Sequence, residues 1–216
     1  MSIVVYGSGS SMVVEVEETC ARLGLDVVAI VKNLDGRDYA LSPERIVWAD
    51  DVGTEIKSLQ YIIPIFTPGH RLAAFKDAER RGFKYAATIV DPTSVVAAST
   101  VLGAGTYVNS SAVIGGASKI GAFVFINRAA NIGHHVEIAD FASVGPGAIL
   151  AGATRLGRGA VAAAGAVVLP AVEIGSNTVV AAGAVVRTSV PDHCLVAGNP
   201  ARVVRTAYAG YRNQSV

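Results

Sequence analysis

The chain has little cysteine, little net charge and no long apolar run. Two cysteines, Cys20 and Cys194, occur in 216 residues. They lie in different regions and form no metal-spaced pair. Neither a disulfide framework nor a cysteine-based metal site is expected, and both read as free thiols of a reducing cytoplasm. Eighteen Lys and Arg against 17 Asp and Glu leave a net charge of +1, which argues against nucleic acid as the main partner. No stretch of about 18 apolar residues occurs, so no transmembrane helix and no membrane insertion is expected. The opening residues, MSIVVYGSGSS, carry no basic segment before their apolar part and do not read as a signal peptide. A cytoplasmic location is expected. The length and a 51% hydrophobic composition allow one or two domains with a sizeable core.

What is present is a period of six. From Val90 to Val186, seventeen positions six residues apart are aliphatic, and only Ala162 among them is not Val, Ile or Leu. Four residues after each, from Ser94 to Ala184, stands Ser, Thr, Ala or Val. This period fits neither an α-helix nor a plain hairpin. It predicts hexapeptide repeats wound into a parallel β-helix. The large aliphatic residue points inward and stacks on its counterparts, each burial contributing about 1.5–3 kcal/mol. The small residue fits a corner where the interior is narrow. Glycine, alanine or asparagine often follows the aliphatic residue, as at Gly103, Asn109, Gly133 and Gly157, where a bend needs freedom or a small side chain.

The first 88 residues read as a small Rossmann-like α/β unit with a parallel sheet. Strands are expected at Ile3–Gly7, Asp26–Val31 and Tyr61–Phe66. A helix is expected after Ser11, closed by Gly24, and another from Pro68 to Gly82. The repeat domain covers residues 89–205, and 206–216 form a tail, either a short helix or frayed. The Gly-rich turn YGSGSS after the first strand could hold a phosphate on its backbone amides, but it lacks the third glycine of a dinucleotide fingerprint. A tight strand-to-helix turn is the plain alternative.

The ordered hexads followed by VAGNPARVV (Val196–Val204) resemble the hexapeptide acyltransferases. With the α/β unit added, the chain is similar to bacterial sugar acetyltransferases, the group that includes sialic acid O-acetyltransferases and nucleotide-linked amino-sugar N-acetyltransferases. The resemblance implies a left-handed β-helix, a homotrimer, acetyl-CoA as co-substrate and no metal. In the segment IGHHVEI, His134 falls on the family's catalytic histidine and His135 stands where an acidic partner is expected. Glu137 and Asp140 are the nearby acidic substitutes. Asn127 matches an asparagine seven residues before the histidine, expected to orient His134 or the substrate. Donor contacts carry over to Ser143, Gly152, Ala164 and Ala182, with the Gly152 amide as oxyanion donor. For the nucleotide sugar, the matching positions are Gly9, Ser10, Ser11, Lys32, Asn33 and Phe66. Ser11 replaces a family histidine, Lys32 and Asn33 an acidic pair, and Phe66 a glycine. The activity implied is N-acetylation of a nucleotide-linked amino sugar. Sugar O-acetylation and a non-catalytic binding role are the alternatives. A zinc enzyme on the same scaffold would need three converging histidines, and only His134 and His135 lie in the repeats.

Overall fold

The computed structural model describes residues 1–216. The α/β unit forms first. Strand β1 (Ser2–Tyr6) leads into helix α1 (Val13–Leu23), which stops at Gly24 in the left-handed region, φ 66°. Strand β2 (Asp26–Lys32), a short β3 (Ile46–Trp48), one turn of helix α2 (Thr54–Lys57), β4 (Gln60–Ile62), α3 (Pro68–Arg80) and β5 (Tyr85–Ala86) follow. The sheet is parallel, in the order β3-β2-β1-β4-β5.

Two expectations need correction. The third expected strand, Tyr61–Phe66, ends at Ile62. Pro64 has no N–H for the ladder, and the Ile65 amide turns back to Ile63 O. Strand β3 was not foreseen; it is a three-residue edge strand.

From Ile89 the chain winds a triangular parallel β-helix. Each face is a ladder of two-residue strands whose partners lie 18 residues apart, for example Ile114 on Ile132 and Ile132 on Leu150. The predicted aliphatic column fills the interior as one buried cluster. The small corner residues do more than fit. Ser94, Thr100, Thr106 and Ser118 each donate a hydroxyl proton to the carbonyl fifteen residues on, at 2.7–3.0 Å, and so staple one coil to the next. The bend glycines answer to stacking rather than to dihedral freedom. A Cβ on Gly103 would lie 2.4 Å from the backbone of Gly121 in the next coil. The repeat closes with an antiparallel pair, Leu195–Gly198 with Ala201–Arg205.

The three faces differ outward. The first presents Ile89, Tyr107 and Phe125, buried against Ile3, Val5, Val13 and Val16 of the α/β unit. The second presents Val95, Val113 and Ile149 to solvent, with Val167 and Val185 half-buried. The third carries a charge ladder, Lys119–Glu137–Arg155–Glu173, paired at 2.8–3.8 Å. The tail 206–216 is not frayed, and its helical part is short. It has one 3-10 turn at Tyr211–Asn213, and it docks. Tyr211 packs edge-on to Phe66, and the Val216 amide donates to Asn177 Oδ1 at 2.8 Å.

Candidate active site

Two places gather chemistry, one on each domain. In the α/β unit the strand order reverses between β1 and β4, and the crevice beyond their carboxyl ends is where such sheets take ligands. The turn Gly7–Met12 lies there. Gly7, φ 112°, starts it, and its amide and that of Ser8 donate to Val31 O. The amides of Gly9, Ser10 and Ser11 have no partner in the chain. Three unpaired N–H groups before α1 suit an anion.

The loop after β2 lies over this turn. Tyr39 N donates to Ser8 O at 3.1 Å, and Ser8 Oγ donates to Asp38 at 2.5 Å. Lys32 donates to Asp38 at 2.7 Å and to Gly36 O at 3.0 Å, with its ammonium over Trp48. Lys32, then Ser8, hold the Asp38 carboxyl below its ordinary range. Asn33 Nδ2 reaches Asp77 at 3.4 Å. Lys32 and Asn33, expected to face substrate, therefore have their head groups engaged in fixing the loop. Phe66 is engaged within the chain as well. Its ring sits between Phe125 and Tyr211, with centroids 5.7 and 5.8 Å away.

The second place is an edge of the β-helix. The turn Gly133-His134-His135 follows the strand Asn131–Ile132 at the corner between the second and third faces. Two adjacent residues of a strand would face opposite sides, but His134 and His135 do not stand on one. They are corner residues instead, His135 with φ 57°, and their rings meet edge-on with Nδ1 to Nδ1 at 3.0 Å. One nitrogen of that pair donates and the other accepts. Glu137 and Asp140 do not substitute for the missing acid: Glu137 pairs with Lys119 and Arg155, and Asp140 with Arg158 and the Ala122 amide. Gly152, one coil on, lies under the His134 ring. A Cβ there would be 2.8 Å from Nε2. The Gly152 amide has no partner in the chain.

Asn127, Ala164 and Ala182 lie on the other edge of the second face, where the first face turns into it. The Ala164 and Ala182 amides are unpaired and their turns exposed. Asn127 makes no bond to His134. Its Oδ1 accepts from Asn109 and from the Arg128 amide. Ser143, expected at the acyl donor, is a correction. It is fully buried between the domains, where its hydroxyl donates to Phe66 O at 2.7 Å and accepts from Arg71 at 2.9 Å. Its register gives the reason: it continues the outward row of Tyr107 and Phe125, which the α/β unit covers.

Arg71, which no sequence pattern marked, is the side chain that joins the domains. It is 1% exposed, and burial pushes its pKa down to about 9, so it stays charged at neutral pH. No three metal-ligating side chains gather anywhere in the chain. Both cysteines are buried, and burial pushes the Cys20 thiol up to about 11. A concavity of about 1000 Å³ follows the charge ladder and includes neither histidine. No helix is long and apolar enough to cross a membrane.

Residues 153–188 match the family model of bacterial transferase hexapeptide repeats. Among solved structures, the chain is similar to a histidine-to-asparagine variant of perosamine N-acetyltransferase from Caulobacter crescentus in complex with CoA and GDP-perosamine. The two are 30% identical over 94% of this chain and 96% of that one, with a TM-score of 0.83. It is also similar to the acetyltransferase domain of PglB from Neisseria gonorrhoeae in complex with acetyl coenzyme A, at 27% identity over 94% and 98%, TM-score 0.82. The N-acyltransferase AntD from Bacillus cereus shares the fold, at 16% identity over 61% and 88% with a TM-score of 0.52. No curated protein sequence matches.

Proposed function

The chain belongs to the hexapeptide-repeat sugar acetyltransferases, and from that premise we propose that it moves an acetyl group from acetyl-CoA to the amine of a nucleotide-linked amino sugar. The observation that carries this reading is the His134 ring seated on Gly152, its Nε2 unbonded and an unpaired amide beneath it. The amine must lose a proton as it attacks the thioester, and histidine is the side chain suited to take it near neutral pH. His135 Nδ1 accepting from His134 Nδ1–H leaves the His134 Nε2 lone pair free to act as base. The C–N bond forms while the carbonyl oxygen becomes an oxyanion, held by the Gly152 N–H. The C–S bond then breaks, and His134 passes the proton to the departing CoA thiolate.

The nucleotide diphosphate goes to the Gly9–Ser11 amides at the start of α1. A free sugar would leave that crevice without a ligand, which favours N-acetylation of a carrier-linked sugar over O-acetylation of a free one. The test is thiol release from acetyl-CoA with amino sugars linked to GDP, UDP and dTDP, and with free sugars. Release with one nucleotide-linked amino sugar is expected. Release with free hydroxyl sugars alone would overturn the reading.

A homotrimer supplies what one chain lacks. His134 and Gly152 stand on one edge of the second face, and Asn127, Ala164 and Ala182 on the other. Packing three such faces about an axis buries Val95, Val113 and Ile149 and sets one edge of each copy against the opposite edge of the next. Ile149→Asp places a charge in that contact without entering the chain's own core. Light scattering is expected to fall from three times the 22.2 kDa chain to a single one, with loss of transfer. A trimer that survives the change would contradict this packing.

A further inference from the structure

One side chain behind the edge that carries Asn127, Ala164 and Ala182, the acyl edge of the proposed site, determines what that edge can offer. Asn109 and Asn127 are stacked one coil apart, each directly after one of the paired strands Tyr107–Val108 and Phe125–Ile126. Asn109 is wholly buried. The Ser110 amide donates to its Oδ1 at 2.7 Å, and the Tyr107 hydroxyl lies 3.2 Å from the same oxygen. Its nitrogen therefore faces the other way. Nδ2 donates to Asn127 Oδ1 at 3.2 Å and reaches Glu15 Oε2 at 3.5 Å. Asn127 Oδ1 also accepts the Arg128 amide at 2.8 Å. Both acceptor positions of that oxygen are filled from within the chain, while Asn127 Nδ2 has no partner there.

Resting on the trimer proposed above, which sets the Asn127 edge against the His134 edge of the next copy, we propose that Asn109 is a positioning residue that locks the Asn127 amide with its NH₂ outward. Asn127 then offers donors only. It holds a substrate oxygen, and it cannot accept a proton from the attacking amine, which is left to His134. The lock is anchored in the α/β unit. Glu15 is the third residue of α1, the helix that begins at the three unpaired amides, and it also pairs with Arg128 at 2.6 Å. The donor at the acyl edge is thereby held in register with the helix that receives the nucleotide.

The decisive change is Asn109→Asp. It keeps shape and the acceptor side but replaces the inward donor with an acceptor against Asn127 Oδ1, so Asn127 must turn its NH₂ inward and show oxygen to substrate. Glu15→Gln in the same chain gives the new carboxylate a donor and removes the like charge. Turnover with the amino-sugar nucleotide that supports thiol release is to be compared in Asn109→Asp, the Glu15→Gln/Asn109→Asp double variant, Asn109→Ala and Asn127→Ala. Both Asp-containing proteins are expected to lose kcat by about ten- to a hundredfold, the scale of a misplaced contact, with the KM for acetyl-CoA unchanged. The double variant is expected to melt with the wild type, and Asn109→Ala, despite its void, to lose less kcat. A double variant with wild-type kcat, or Asn109→Ala as the slowest Asn109 variant, would overturn the lock.

Selective ¹⁵N-asparagine labelling reads the same point without turnover. The Asn127 NH₂ should exchange with water in the wild type and be protected in the double variant; equal exchange in both also overturns the lock. Wild-type turnover in Asn127→Ala would instead sink the placement of Asn127, and the lock with it.

Discussion

His134→Ala is expected to lower kcat by about 10²–10⁴-fold, the usual contribution of a positioned general base, while the chain stays folded and trimeric. The separation of activity from stability follows from the corner geometry. His134 is the second residue after Ile132, and the same place in other coils holds Gly116, Gly152 and Pro170. The coil asks for no particular side chain there. The turn is exposed, and its backbone bonds, His135 N to Gly116 O and Ala153 N to His134 O, both 2.9 Å, do not involve the ring. Removing the ring therefore costs no buried contact. What it removes is the unbonded Nε2 above Gly152, the nitrogen to which the proposed mechanism gives the amine's proton. Thiol release and a thermal melt on the same protein check both halves. A loss of kcat below tenfold, with the melt unchanged, would take the base role from His134.

The interior of the β-helix was legible because its constraint is periodic. A residue six places on meets the same environment, so Val90 to Val186 announce the coil before any contact is known. The outward faces obey the coil period of eighteen instead, and that period was there to be read. Ile89, Tyr107, Phe125 and Ser143 form one outward row, and its bulky members mark a covered face. Reading that row would have placed Ser143 inside the molecule. The same register puts His134 and His135 in the corner after Ile132, not on a strand, so their side-by-side rings follow from counting. Strand β3 was hidden for a different reason: three residues at a sheet edge carry too little pattern. The Asn109–Asn127 bond was also hidden, because it depends on which amide atoms face inward, and only the placed neighbours decide that.

Arg71 left no trace in the sequence because its partners are backbone carbonyls, and its replacement carries the largest expected effect on stability. In PGHRLAAFKDAERRG it is one of three arginines, the others being Arg80 and Arg81 at the end of α3.

 Counted by charge, the four basic groups of that segment are Arg71, Lys76, Arg80 and Arg81, and nothing in their spacing separates the first from the rest. The structure does. Lys76 and Arg80 are exposed, and Arg81 pairs with Asp50 and Asp77. Arg71 is buried with no carboxylate partner. Its Nε donates to Phe123 O at 2.8 Å, and Nη2 donates to Phe141 O at 2.7 Å, Ala142 O at 3.0 Å and Ser143 Oγ. Nη1 donates to Ile65 O and Phe66 O. One guanidinium thus joins two coils of the β-helix to the loop after β4. Six acceptors surround the five N–H groups of this flat fork, so one N–H is shared, and an ammonium with three N–H groups could not serve them.

Arg71→Met keeps much of the apolar stem but leaves Phe123 O, Phe141 O and Ile65 O without donors, while Ala142 O keeps the Phe125 amide and Phe66 O the Ser143 hydroxyl. The expected loss is about 3 kcal/mol or more, since each buried acceptor left without a donor costs about 1–3 kcal/mol. Arg71→Lys should recover little of it, since the charge survives but the geometry does not. Urea unfolding of the three proteins measures the difference, and a Met variant within about 1 kcal/mol of wild type would show that the acceptors find other partners. A functional consequence comes with the structural one. Ile65 and Phe66, which Arg71 holds, border the nucleotide crevice, whereas His134 and Gly152 lie on a coil edge that Arg71 does not touch. In whatever fraction of the Met variant remains folded, the KM for the nucleotide sugar should therefore rise while that for acetyl-CoA stays near its wild-type value.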